Sequence, residues 1–307
     1  MNVRFSSLLA FVGIFLFTSC NKEFSDVDAS LLPTDTFVIE KQTALVGVQH
    51  ERIEVIRGPQ SAMRGSDAVS GVINIVTRSA DQPLTASAFT EAGNFATYHS
   101  GVSIGSRQGD FDIRFGVTHL ETDGANISRS GTEKDGYQNT SANLKAGWDA
   151  GDELRLSFAA RQSEGMNEFD TDNDFDGFIE DQDLVSEFRN TTMRVQADYQ
   201  PVDSNIQHKL LIAQSKHDNE NFAASLLGVS TASSKDQFQY IGSLFWGDSS
   251  QRVSLLIERE EEDFQQRGPI EDYGFGAIYD PNQDRERNTD SVALEYRTEL
   301  SDSLSLA

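Results

Sequence analysis

The sequence predicts an all-β chain: an antiparallel transmembrane β-barrel, partial at about ten to eleven strands, preceded by a small strand-turn-strand unit. Three observations carry this. From Leu84 onward, apolar and polar residues alternate in segment after segment, the rhythm of strands with one greasy and one wet face. The connections between these segments alternate between short and long. No stretch after residue 20 approaches the run of about 20 apolar residues that a membrane helix needs, whereas barrel strands leave only a faint hydropathy trace.

Residues 1–20 read as an export signal, with Arg4 as the positive start and Leu8 to Phe17 as a core too short to span a bilayer. Leu16-Phe17-Thr18-Ser19-Cys20 has the form of a bacterial lipobox, which would leave Cys20 acylated after cleavage; the plainer reading is a secretory signal with an incidental Cys. Residues 21–50 form a polar linker containing the strand-like pentamer Asp35-Thr36-Phe37-Val38-Ile39. An extended segment of this kind can add to the edge of a partner's sheet.

Residues 51–80 form the next unit. Ile53 and Val55 alternate with Glu54 and Arg57, Arg57-Gly58-Pro59 breaks the strand, Gly65 and Gly71 supply turn or close-approach points, and Val72-Ile73-Asn74-Ile75-Val76-Thr77 is a β-branched second strand. Such a unit cannot bury its own apolar faces and needs a container.

The segment 84–307 supplies one. Phe111, Ile113, Phe115 and Val117 oppose Asp112, Arg114, Gly116 and Thr118; Leu154, Leu156, Phe158 and Ala160 oppose Arg155, Ser157, Ala159 and Arg161. Met193, Val195, Ala197 and Tyr199 oppose Arg194, Gln196, Asp198 and Gln200, and ribbons around Ala142–Trp148 and Val292–Tyr296 repeat the pattern. Short turns rich in Gly, Asp, Ser and Pro fall at 106–110, 149–152, 201–205, 247–251 and 300–303. Between them the sequence predicts long acidic loops at 121–138, 163–190, 216–234 and 263–288. Glu258 to Asp263 reads as a strand end passing into solvent.

Composition narrows the function. A formal charge of -24 argues against nucleic acid as a partner. The single Cys excludes an intrachain disulfide and a Cys-based metal site. Neither a nucleophile elbow nor a phosphate-binding glycine loop occurs, so no enzyme is expected. The densest constellation runs from Asp170 to Asp183. Read from Asp172, it fits a calcium loop: Asp172, Asp174 and Asp176 alternate, Gly177 makes the sharp turn, Phe178 offers a carbonyl, and Asp183 closes the frame. With strands as flanks, this is an EF-hand-like loop without the helices; the plain alternative is a solvated acidic loop.

The run RIEVIRGPQSAMRGSDAVSGVINIVT resembles the last part of the plug domain of TonB-dependent outer-membrane receptors, through Arg52, Ile53, Glu54, Val55, Arg57, Gly58, Pro59, Gly65, Gly71, Val72, Ile73, Asn74 and Ile75. The resemblance implies a C-terminal plug remnant at 51–80, and a partial barrel at 84–307 where the family has about 22 strands. It makes Asp35 to Ile39 a TonB box. It implies an outer-membrane location and uptake of cobalamin or a ferric siderophore, with the TonB energy-transducing complex, a small metal-chelate or cobalamin substrate and outer-membrane lipid as partners. Inward Arg114, Arg155, Arg161 and Arg194 would line a polar lumen, where the family's counterparts contact the plug. Thr122-Asp123-Gly124 and Lys134-Asp135-Gly136-Tyr137 resemble the cobalamin-receptor branch, in which calcium orders neighbouring loops. Asp135, Asp170, Asp172, Asp174 and Asp176 are the matching positions. Cys20 departs from the family, whose receptors are not usually lipoproteins, and most of a plug is missing between the box and Arg52, so the expectation is a fragment. The alternatives are a surface calcium-binding β-rich lipoprotein and a non-functional gene remnant.

Overall fold

The computed structural model describes residues 36–40, 50–57, 70–128, 131–172, 176–247, 251–272, 278–301 and 304–306. Every regular element among them is a strand.

A three-stranded antiparallel sheet comes first, in the order β1 (Thr36–Glu40), β2 (His50–Arg57), β3 (Gly71–Thr77). Ile53 pairs with Ile75 and Val55 with Ile73, so the two strands of the plug-like run meet as the alternation predicts. At the elbow Arg57 pairs with Gly71, where an added Cβ would lie 2.6 Å from the Ile56 carbonyl oxygen. Only glycine fits that close an approach. Asn74 donates to the buried Glu54 carboxylate at 2.7 Å.

The second sheet is the body of the chain: β4 (Thr85–Ala92), β5 (Tyr98–Gln108), β6 (Phe111–Ala125), β7 (Asp135–Ala150), β8 (Leu154–Thr171), β9 (Glu180–Tyr199), β10 (Ile206–Ala223), β11 (Leu226–Trp246), β12 (Gln251–Arg267), β15 (Gln283–Ser301) and β16 (Leu304–Leu306). These eleven strands form one antiparallel meander with β4 and β16 at its edges, matching the expected ten strands and the start of another. A separate two-stranded hairpin, β13 (Glu271–Asp272) and β14 (Ile278–Tyr279), decorates the β12–β15 connection.

Burial in this sheet is inverted. On β6 the polar Asp112, Arg114 and Thr118 are buried, while Phe111, Ile113 and Phe115 are exposed. On β12 Ser254, Glu258 and Glu260 are buried and Leu255 and Ile257 exposed. A water-soluble sheet does the reverse. The exposed apolar side chains form a continuous band, because register aligns them: Phe158 with Val195, Val195 with Ile212, Ile212 with Phe238, and Ile257 with Val292. The band stops together on neighbouring strands, where Gln214 meets Asp236 and Arg259 meets Asp290. Toward the short-turn end lie stacked aromatic pairs, Phe111 with Trp148 at 5.4 Å and Trp246 with Tyr296 at 6.1 Å, with His208 between Tyr199 and Tyr240. Aromatic girdles of this kind mark a membrane interface.

Strands β8 to β12 and β15 run 17 to 21 residues, well beyond the about 9–11 that cross a bilayer. The surplus projects from the long-connection end and corrects the loop expectations. The connection expected at 121–138 shrinks to 126–134, that at 163–190 to 172–179, and that at 263–288 to 268–282. The loop expected at 216–234 is not a loop. It is the upper part of hairpin β10–β11, closed by Ala224-Ser225 alone, both at positive φ (48° and 64°). Above the band both faces meet water, so the hydrophobic alternation ends while the backbone ladder continues. For the same reason Glu258 to Asp263 lies within β12, with Glu258 and Glu260 turned inward and buried.

Candidate functional site

Two places on this scaffold gather chemistry. The first is at the long-connection end. Glu133 precedes β7, Asp170 is near the end of β8 and Asp181 near the start of β9, and one carboxylate oxygen from each lies within 4.8 Å of the others. Backbone amides hold the group in place: Thr132 N–H donates to Asp181 Oδ2 at 3.0 Å, Gln182 N–H to Asp170 Oδ1 at 2.9 Å, Gly136 N–H to Glu168 at 2.8 Å and Ile127 N–H to Asp135 at 3.0 Å. Gly131, at φ 113°, lets the loop wrap onto Asp181, since an added Cβ would fall on the Asp181 carboxylate. Asp181 Oδ1 is buried without a hydrogen-bond partner. The Glu133 carboxyl is exposed, and the slight desolvation it meets, together with the charges of Asp181, Asp183, Asp170 and Glu168, raises it above its ordinary range. Asp135 is raised by burial, with Asp170, Asp181 and Glu168 adding to it against the Ile127 hydrogen bond. Three convergent carboxylates supply hard oxygens that could contribute to a cation site, short of the six to eight that calcium takes.

The sequence-predicted ligands are distributed differently. Of the frame from Asp172 to Asp183, residues 173–175 lie outside the described residues and Asp183 lies inside β9. Asp172 folds its carboxylate back on the connection, accepting from Asp176 N–H at 3.1 Å and Gly177 N–H at 2.8 Å, while Asp176 accepts from Phe178 N–H at 2.8 Å. Asp170 joins the triad and Asp135 stands in its field, whereas Glu133 and Asp181 were not singled out. The Glu133-Lys134-Asp135 run was the available signal, but its partner is about 48 residues away and meets it only through strand pairing. Thr36, Phe37, Val38 and Ile39 lie in β1, paired with β2; Arg57, Gly71 and Asn74 lie in the first sheet. Cys20, Asp35, Gly58, Pro59, Gly65 and Asp174 lie outside the described residues.

The second place is the polar face of the large sheet. At its short-turn end Asp112 and Asp149 interleave with two arginines: Arg155 donates to Asp112 at 2.7 Å and to Asp149 at 2.5 Å, and Arg107 to Asp149 at 2.6 Å. Gly147 makes room, for a Cβ there would clash with the Arg155 guanidinium and lie 2.5 Å from Asp112 Oδ1. Higher on the same face stand Arg114, Lys145, Arg161 and Arg194, the inward orientation expected for the arginines. Lys145 Nζ donates to the Thr77 carbonyl at 2.6 Å, tying the end of β3 to the wall.

An antiparallel sheet with a greasy outer band, an aromatic girdle and a charged inner face is the wall of an outer-membrane β-barrel. The relatives agree with that class and narrow it. The chain is 31% identical over 134 residues to the vitamin B12 transporter BtuB of Photobacterium profundum, covering 42% of this chain and 22% of that protein. It is 69% identical over 32 residues, 10% of this chain and 5% of the relative, to the iron-regulated outer membrane virulence protein of Vibrio cholerae serotype O1. The solved ferripyoverdine receptor of Pseudomonas aeruginosa superposes with a TM-score of 0.66 at 9% identity, over 84% of this chain and 40% of that one. No family model matches. Over part of its length the chain is thus similar to outer-membrane transporters and receptors, and it carries the barrel-wall fold of the solved receptor. It spans well under half the length of the proteins it matches. Those relatives are transporters and receptors, not enzymes.

Proposed function

We propose that the chain serves energy-coupled uptake of cobalamin or a ferric siderophore across the outer membrane, in concert with the TonB energy-transducing complex. The observation that carries this reading is the inverted burial of β5 to β15. A soluble calcium-binding lipoprotein, the rival, has no use for a continuous apolar band on its outer face. In a bilayer the edges β4 and β16 need pairing partners, since unpaired strand edges in lipid cost several kcal/mol per group. Thr36 to Ile39 lie in the edge strand of the first sheet, paired with β2 on one side only among the described residues, and its other side suits addition to a partner's sheet edge. Calcium belongs to the proposal: held by Glu133, Asp170 and Asp181, it would join the β6–β7 and β8–β9 connections above the barrel. The test is expression of the full chain followed by membrane fractionation and gel mobility with and without heating. Outer-membrane partition and heat-modifiable mobility are expected; material that remains soluble and unshifted would overturn the reading.

A further inference from the structure

The apolar band has a dent. Outward side chains on neighbouring strands line up in rows, and one row reads Ile113 on β6, Ala146 on β7, Phe158 on β8 and Val195 on β9. Ala146 is the one small residue in it. Toward the short turns the next row, Phe111, Trp148 and Leu156, closes the gap. The result is a groove of about 560 Å³ over the Ala146 methyl group, with Ser106 and Gln108 of β5 along its side. It opens on the outward face, away from the polar face that meets β3, and it lies within the sheet rather than at either edge.

The two ends of the groove differ. Away from the short turns the band continues with Leu144 and Phe115. At the short-turn end stand Gln108 and the exposed Trp148, whose indole N–H has no hydrogen-bond partner among the described residues. A Trp at such a boundary keeps its ring in the apolar layer and its N–H toward an acceptor. Beyond it the turns carry Asp110, Asp152 and Glu153, none with an ion pair among the described residues. The neighbouring Arg107 and Arg155 are taken up by Asp112 and Asp149 on the polar face.

We propose that this groove holds one glycerophospholipid with a primary-ammonium headgroup, drawn from the leaflet at the short-turn end. One acyl chain lies over Ala146 between Ile113 and Phe158, a phosphate or ester oxygen accepts from Trp148 Nε1–H, and the ammonium faces the turn carboxylates. Continuity with the lipid-facing band selects an acyl chain as occupant, because a chain that bridged the dent without entering it would forfeit the dispersion contacts of its lining. Unpaired carboxylates at the polar end select a cationic group over an anionic one, and a primary ammonium over a quaternary one, which cannot donate a hydrogen bond. The proposal rests on the transport reading for its membrane setting and adds a resident lipid to it.

The test uses the full chain in vesicles of choline lipid, doped with an ethanolamine lipid that is brominated in the upper part of its chains and quenches tryptophan on contact. The chain has two Trp residues, so Trp246→Phe leaves Trp148 as reporter, and Trp148→Phe leaves Trp246, a girdle residue outside the groove, as reference. Quenching of Trp148 should reach half its maximum at a mole fraction about tenfold below that for Trp246, as expected for one charged hydrogen bond gained. Ala146→Phe, made with Trp246→Phe, fills the groove and should bring the two curves together. Ala142→Phe, outward on the same strand but outside the groove, should leave them apart. The matching brominated lipid with an anionic glycerol headgroup should quench Trp148 no earlier than Trp246. Coincident curves with the groove intact, an early curve that survives Ala146→Phe, or equally early quenching by the anionic lipid would each overturn the site. The contrast between the two Trp residues and between the headgroups decides even where a groove variant fails to fold. Gel mobility of the same preparations separates the two proposals: barrel mobility with coincident curves refutes the lipid site alone, whereas loss of barrel mobility in the unmutated chain refutes the transport reading.

Discussion

Replacing Val195 by arginine tests the membrane reading at one residue. Val195 is 49% exposed, stands on the outer face of β9, and has Phe158 and Ile212 as its outward cross-strand neighbours. Thr191 and Tyr199 flank it four residues away on either side, about 13 Å along the strand, further than an arginine head can reach toward either polar edge. In lipid, an arginine at that depth costs about 2–4 kcal/mol. That lowers the folding equilibrium by roughly 30- to 700-fold, at about 1.4 kcal/mol for each tenfold. The same substitution at an exposed position of a water-soluble sheet changes stability by about 0.5 kcal/mol or less. Thr191→Arg, on the same face but past the band, is the internal control and should cost about 0–1 kcal/mol. Trp148 and Trp246 report the transition by fluorescence in urea titrations of the chain in vesicles. Equal midpoints for V195R, T191R and the unmutated chain would refute a lipid-facing band.

Other outcomes follow from the same geometry. Glu133→Gln or Asp181→Asn should weaken calcium binding by tenfold or more, and Asp172→Asn, whose carboxylate caps the connection, far less; calorimetry decides, and equal losses would restore the Asp172-centred loop. Glu133 and Asp135 have folded pKa values raised above the ordinary carboxylate value of about 4, so without calcium their contribution to stability is most favourable below that window and is lost as pH rises through it. Calcium needs the ionised forms, so its affinity should fall as pH drops through the same window, with proton release on binding; an affinity flat from neutral pH down to that range would contradict the cluster. Gly147→Ala should destabilise by about 1–3 kcal/mol through overpacking against Arg155 and Asp112, measured by the same urea titration, and a neutral outcome would argue against the ion network. Ala224→Asn with Ser225→Gly should stabilise the β10–β11 hairpin by about 1 kcal/mol, because Asn-Gly adopts the two left-handed residues at less cost, and hydrogen exchange at Ala223 and Leu226 would register it.

What could be read from the residues follows the solvent. Where lipid lies on one side and a wet interior on the other, alternation is forced, so the strands around Phe111, Val195 and Val292 were legible and the inward parity of Arg114, Arg155, Arg161 and Arg194 came with them. Above the band that forcing stops. Lys216, Asp218 and Glu220 alternate with nothing apolar, yet β10 continues through them because its pairing with β9 and β11 persists. The Ala224-Ser225 turn carries none of the Gly, Asn or Pro signals of a hairpin, and Ala224 N–H is instead braced by the Asp183 carbonyl at 2.9 Å. The acidic site was half legible for a related reason. Spacing within one loop pointed to Asp172, but the group that converges is assembled from the β6–β7 connection and strands β8 and β9.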